Sequence, residues 1–196
     1  MKLFARADQV GSVLRPPLVT QAWKAFARDE IDEADRRSIE DDAIRTSIRQ
    51  QEETGIGVIT DGEFRRDAWW SGFIPYVEGI ELFEATQSPF ASNVADKADA
   101  YIPKLVRTAK PLSHPGNPIM GDNYKFVTEI TNRVTKVTIP APSRFHFQYG
   151  VNAIDAAVYP DREQFWDDVT QVYKSEIAGL EKLGCNFIQI DDPILS

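Results

Sequence analysis

Twice along this chain a long amphipathic helix stops at a glycine and gives way to a short apolar run that ends in acidic residues. The first helix is predicted from about Glu33 to Glu53, with Ile39, Ala43, Ile44 and Ile48 on its apolar side and Thr54-Gly55 as its stop. Gly57-Val58-Ile59-Thr60 follows, and then Asp61-Gly62-Glu63. The second runs from Asp161, placed to cap it, to Leu183, with Phe165, Val169, Val172, Ile177 and Leu180 on one side. Gly184 ends it, Asn186 to Ile190 reads as a strand, and Asp191-Asp192 closes the run. Helices leading into apolar strands that are buried on both faces are the units of a parallel α/β sheet.

The rest of the chain is read in the same way. Leu3 to Val10 is expected as a first strand, ending in Gly11-Ser12, with Arg15-Pro16-Pro17 breaking any helix there and Leu18 to Arg28 helical. Asp67 to Val77 is expected as a helix carrying Trp69, Trp70, Phe73 and Tyr76. An irregular insertion is expected around 81–103, then a strand from Lys104 to Thr108 and a loop marked by Pro111, Pro115, Gly116 and Pro118. Asp122 to Asn132 reads as a helix and Lys136 to Ile139 as a strand closed by Pro140-Ala141-Pro142. No GxGxxG follows the first strand, so a dinucleotide-binding reading fails its main test. The expectation is one α/β domain over 1–196 with about four or five βα units, against eight in a closed barrel. The sequence stops just after a strand, so this reading is a partial TIM (β/α)8 barrel with two open sheet edges.

Composition narrows the function. The formal net charge of -8, with basic residues scattered, argues against nucleic acid and against an anionic membrane surface. The single cysteine, Cys185, excludes an intrachain disulfide. The start MKLFARADQVGS has no apolar signal core, and no apolar run approaches membrane length, so a cytoplasmic protein is expected.

Active sites of parallel α/β folds lie at the C-terminal ends of strands. Gly11-Ser12, Asp61-Gly62-Glu63 and Asp191-Asp192 occupy such ends, so carboxylates from separate strands converge on one mouth. Acid groups there hold a cation, bind an ammonium group or move a proton, and spacing alone does not choose among these; helix capping is the structural alternative. Trp69-Trp70 either lines this mouth or packs. The acidic run Asp29 to Asp42 is expected as a solvated helix face with its preceding loop. Cys185 precedes its strand and faces the barrel bottom, His114 sits in an exposed loop, and His146 follows a strand towards the mouth.

Gln9-Val10-Gly11-Ser12, Thr60-Asp61-Gly62-Glu63 and Ile188-Gln189-Ile190-Asp191-Asp192-Pro193, in that order, resemble the cobalamin-independent methionine synthase family in its short single-barrel branch. Arg107-Thr108-Ala109-Lys110-Pro111 is a weaker fourth match. The resemblance implies methyl transfer from 5-methyltetrahydropteroyltriglutamate to homocysteine, in methionine biosynthesis, with a zinc ion turning the thiol into a thiolate. It implies that Val10, Gly11 and Ser12 hold the amino acid carboxylate, that Glu63 and Asp191 bind its ammonium group, and that Arg107 and Thr108 lie where folate is contacted. The family's zinc ligands follow the Asp-Glu-Pro motif, which is Asp191-Asp192-Pro193 here, so no complete zinc site and no activity are expected of this chain alone. The folate-stacking Trp is missing from Pro140 to Phe147. Two alternatives follow: another zinc-dependent thiol alkyl transfer of the epoxyalkane:coenzyme M transferase type, or a non-enzymatic assembly module that associates through the open edges.

Overall fold

The computed structural model describes residues 8–84, 104–146 and 150–193, and its architecture is α/β. Helix α1 is Pro17–Ala27 and α2 is Glu33–Glu53. Pro17 begins α1 where Arg15-Pro16-Pro17 was expected to exclude helix, because a first-turn residue has no partner for its N–H and loses nothing by lacking one. Asp32 caps α2 by accepting the Asp35 N–H at 2.8 Å, and Gly55 turns the chain out at φ +82°. Strand β1, Val58–Ile59, follows directly.

Strands β4 (Val134–Thr135) and β5 (Val137–Pro140) run on either side of Lys136, after helix α3 (Gly121–Ile130). β1 pairs parallel with β4, with Ile59 opposite Thr135. β5 pairs parallel with β6 (Ile188–Asp191), with Ile139 opposite Ile190. The Lys136 N–H donates to Ile59 O at 2.9 Å and the Val137 N–H to Phe187 O at 3.0 Å, so 134–140 runs between β1 and β6. Helix α4, Arg162–Lys182, is capped by Asp161, which accepts the Glu163 N–H at 2.9 Å.

Two apolar clusters hold these layers. Ile44 and Ile48 of α2 meet Val19, Ile59, Phe64 and Val127. Phe165, Val169, Val172 and Leu180 of α4 meet Phe73, Ile74, Val137, Ile139 and Phe145. Ile139 is fully buried beneath α4, and truncating such a residue to alanine costs about 2–5 kcal/mol.

Several expectations are corrected. Residues 67–73 form turns, followed by only a short 3-10 helix at Ile74–Tyr76, not a helix from Asp67 to Val77. The Ser71 hydroxyl bonds both the N–H and the C=O of Ala68, and Arg66 takes the Trp69 carbonyl, so local backbone groups are diverted from a helical ladder. Glu81 to Glu84, expected as irregular, belongs to β2 (Glu78–Glu84). β2 pairs antiparallel with β3 (Lys104–Ser113), which continues through Pro111 and departs from an all-parallel order. The rest of the expected insertion, 85–103, lies outside the described residues, as does 1–7 of the expected first strand; Asp8 to Val10 is not a strand. Glu40, within the acidic run, is fully buried and paired with Arg36 at 2.7 Å, beside Trp23 and Phe26. His114 is not exposed: its side chain is 7% accessible and Nε2 lies 2.8 Å from Glu176 of α4.

Candidate functional site

The C-terminal ends of β1 and β6 open with the 10–12 turn onto a cleft of about 330 Å³. Val10, Ser12, Glu63, Trp69, Asp191, Asp192 and Pro193 line it. Of the residues singled out in the sequence, Val10, Ser12, Glu63 and Asp191 are therefore brought together from three separate segments. Trp69 and Trp70 divide: Trp69 lines the cleft, while Trp70 is in the core under the Arg144 guanidinium, 4.0 Å from its ring centre.

Gly11 is fixed by close approach. Its φ is +122°, and a Cβ there would lie 2.5 Å from Thr138 Cγ2 and 2.9 Å from Glu63 Oε1. Thr60 after β1 donates its hydroxyl to Gly11 O at 2.8 Å, and the Val13 N–H donates to Gly62 O at 3.1 Å, which ties this turn to the 60–63 turn. That second turn is also left-handed, with Gly62 at φ +68° and Glu63 at φ +61°. Asp61 supports the Glu63 conformation by accepting its N–H at 2.9 Å. A non-glycine residue held at positive φ stores strain and is concentrated at functional positions.

Glu63 is 3% accessible. Its Oε1 accepts from the Thr138 hydroxyl at 2.9 Å and lies 3.2 Å from Arg66. Burial raises its pKa above the usual carboxylate range; Asp61 and Asp191 push the same way, while Arg66 and the Thr138 bond oppose it. The pKa of Asp191 is also raised by burial, against a hydrogen bond from Gln189 and the charges of Arg66 and Lys136. The site thus sets two partly desolvated acidic groups side by side, with Arg66 the cation beside Glu63, and a cationic ligand entering there would favour their ionised forms.

Residues that the sequence reading passed over hold this arrangement. Arg66 donates to the Thr138 hydroxyl and carbonyl and to Trp69 O, and Arg15 donates to the carbonyls of Glu63 and Arg66. Lys136 is fully buried, its ammonium surrounded by Asp8, Gln9 O and Gln189. A lysine inside the apolar run Val134 to Ile139 was the available signal, since a buried lysine requires partners.

Arg107 and Thr108 lie elsewhere. Arg107 is exposed on β3 and pairs with Glu81 at 2.9 Å. Thr108 is buried, donates to Ala153 O at 3.3 Å and accepts the Asp155 N–H at 3.0 Å. Neither lines the cleft. Cys185 is 4% accessible in the core, with Sγ donating to Phe187 O. His146 packs edge-on against Trp166, with ring centres 5.3 Å apart. Among the described residues no three His, Cys, Asp or Glu side chains are grouped to hold a metal ion. These residues therefore do not fit the zinc that the resemblance implies. Among the described residues no helix is long and apolar enough to cross a membrane.

The chain is 27% identical over 187 residues to a methionine synthase from Pyrococcus furiosus, covering 95% of this chain and 51% of that protein. The crystal structure of a putative vitamin-B12 independent methionine synthase from Listeria monocytogenes superposes with a TM-score of 0.74 at 29% identity, over 95% of this chain and 51% of that one. The chain resembles the N-terminal portion of cobalamin-independent methionine synthases. It is also 35% identical over 188 residues to YxjH of Bacillus subtilis, an uncharacterised protein, covering 95% of this chain and 48% of that protein. The chain spans about half the length of these relatives. No protein-family model matches it.

Proposed function

We propose that this chain supplies the amino-acid-binding end of a methionine-synthase-like thiol methyltransferase, within a (β/α)8 barrel of which 1–196 provides roughly the first four or five units. The stretch around 81–103 is read as an insertion in that barrel, between the antiparallel strands β2 and β3. The observation that carries the reading is the convergence of Glu63 and Asp191 with Val10 and Ser12 on one cleft. An α-amino acid has an ammonium group suited to two neighbouring buried carboxylates and a carboxylate suited to donors on the 10–12 turn. Homocysteine is such a molecule, with its thiol free to project from the cleft. The reading takes 5-methyltetrahydrofolate as methyl donor and zinc as the thiol activator, and the described residues of this chain do not gather ligands for that metal. These residues bind and orient, and hold the charge of the ammonium group. The partners are small molecules, with neither nucleic acid nor membrane among them, and the setting is cytoplasmic.

A second reading is transfer of another alkyl group to another thiol, favoured by the absence of Trp from Pro140 to Phe147. Coenzyme M carries a sulfonate and no ammonium group, so it brings no cation to Glu63 and Asp191. Calorimetric titration of the chain with homocysteine, methionine and coenzyme M decides. Binding of the amino acids, weakened about tenfold or more in Glu63→Gln, is expected. Binding of coenzyme M alone, or equal affinity in Glu63→Gln, overturns the assignment.

A further inference from the structure

Gln189 lies on β6 inside the most specific motif of the chain, yet it does not line the cleft. Its amide joins two residues that do. Nε2 donates to Val10 O at 2.6 Å and to a carboxylate oxygen of Asp191. Oε1 accepts from Lys136 Nζ at 2.7 Å. The orientation of a glutamine amide is set by its surroundings, and here those surroundings are decisive. An ammonium group only donates, so Oε1 must face Lys136, and Nε2 must face the two acceptors. Lys136 in turn is held by Asp8 Oδ2 at 3.0 Å and by Gln9 O.

Resting on the amino-acid-binding reading above, we infer that Lys136 and Gln189 form a positioning relay that sets the separation and charge of the two ends of the site. One donor group is shared between the turn that receives the carboxylate and the acid that receives the ammonium. Neither residue touches the ligand; both act through Val10 and Asp191. The charged groups facing Asp191 are Arg66 and Lys136 as cations and Glu63 as an anion, with Asp192 adjacent in sequence and Asp8 on the far side of Lys136. The Gln189 bond favours the ionised form of Asp191, the form that attracts an ammonium group.

The test uses the 196-residue chain and its Gln189→Met, Gln189→Glu and Lys136→Met variants. The Asp191 carboxyl is titrated by carbon-13 NMR, and methionine and homocysteine affinities are measured across pH. Gln189→Met is expected to raise the Asp191 midpoint, move the pH dependence of binding upward with it, and weaken binding about tenfold at neutral pH. Gln189→Glu keeps the shape and the Lys136 contact but, once ionised, cannot donate and sets a second negative charge beside Asp191, so the same losses with a larger rise of the Asp191 midpoint than in Gln189→Met are expected in a chain whose circular dichroism matches wild type. Lys136→Met frees the amide to turn and should move the Asp191 midpoint in the same direction. A wild-type chain that binds while both Gln189 variants keep its affinity, pH profile and Asp191 midpoint overturns the relay alone. A wild-type chain that binds neither amino acid overturns the site reading, and the relay falls with it.

Discussion

Glu63 and Glu176 are both buried carboxylates, at 3% and 0% accessibility, yet their surroundings differ in kind. Glu176 accepts from the Ile119 N–H at 2.7 Å and the Met120 N–H at 2.9 Å and lies 2.8 Å from His114 Nε2, so both its oxygens are engaged by groups that tie the 114–120 loop to α4. Thr138 and Arg66 both approach Glu63 at Oε1, its backbone is left-handed, and it opens on a cleft beside Asp191. A saturated buried acid specifies structure, whereas the acid buried beside a second acid is the one to which the proposed function gives a ligand.

That contrast can be broken most forcefully at Glu176. Glu176→Ala should destabilise the chain by about 3–5 kcal/mol, because two backbone donors and His114 lose their acceptor together. Urea denaturation measures it, and a change below about 1 kcal/mol would remove the structural half of the comparison. Gly11→Ala comes next, at about 1–3 kcal/mol, since a Cβ at φ +122° meets Thr138 Cγ2; the same titrations should show weakened amino acid binding. Glu63→Gln should leave stability at neutral pH within about 1 kcal/mol of wild type, because the amide oxygen can still accept from Thr138, while losing most binding.

The smallest effect is on pH dependence. A carboxyl whose native pKa lies above its unfolded value takes up protons more readily in the native state. Its contribution to stability therefore falls as pH rises from the unfolded range, about 4.3 for Glu, through the raised native value. Paired denaturation curves should show Glu63→Gln gaining on wild type as pH rises through that window. Amino acid affinity of wild type should climb over the same window as Glu63 and Asp191 ionise. A difference between the two proteins that does not change with pH would remove the charge-based reading of Glu63.

Local patterns carried much of this into the sequence. The α2 helix from Glu33 to Glu53 was legible because its apolar spacing, its glycine stop and the strand after it agree. Asp161 was legible as a cap for the same reason. Glu63 and Asp191 could be named because polar residues after buried strands must emerge at one end of a parallel sheet. Features that depend on distant partners were not legible. β2 is a strand because β3 pairs with it from across 85–103, and nothing within Glu81 to Glu84 announces that partner. The aromatics of 69–76 suggested a helix face, but Trp70, Phe73 and Ile74 are core residues on turns. Thr138 and Arg66, which both contact Glu63 and favour its ionised form against burial, are 72 residues apart and could be joined only by the fold.

The Lys136 cluster also has a bearing on the order in which the molecule is made. Val10 and Gln189 are separated by 179 residues, and Asp8 and Lys136 by 128, so these contacts behind the cleft close long loops of the chain. Long-range closures of this kind are entropically expensive early and form late. Ligand recognition should then be the last property to appear during refolding, after the helices are in place. Stopped-flow refolding followed in parallel by circular dichroism and by ligand-induced fluorescence would reveal the lag, and coincident phases would place the cluster in the folding nucleus instead.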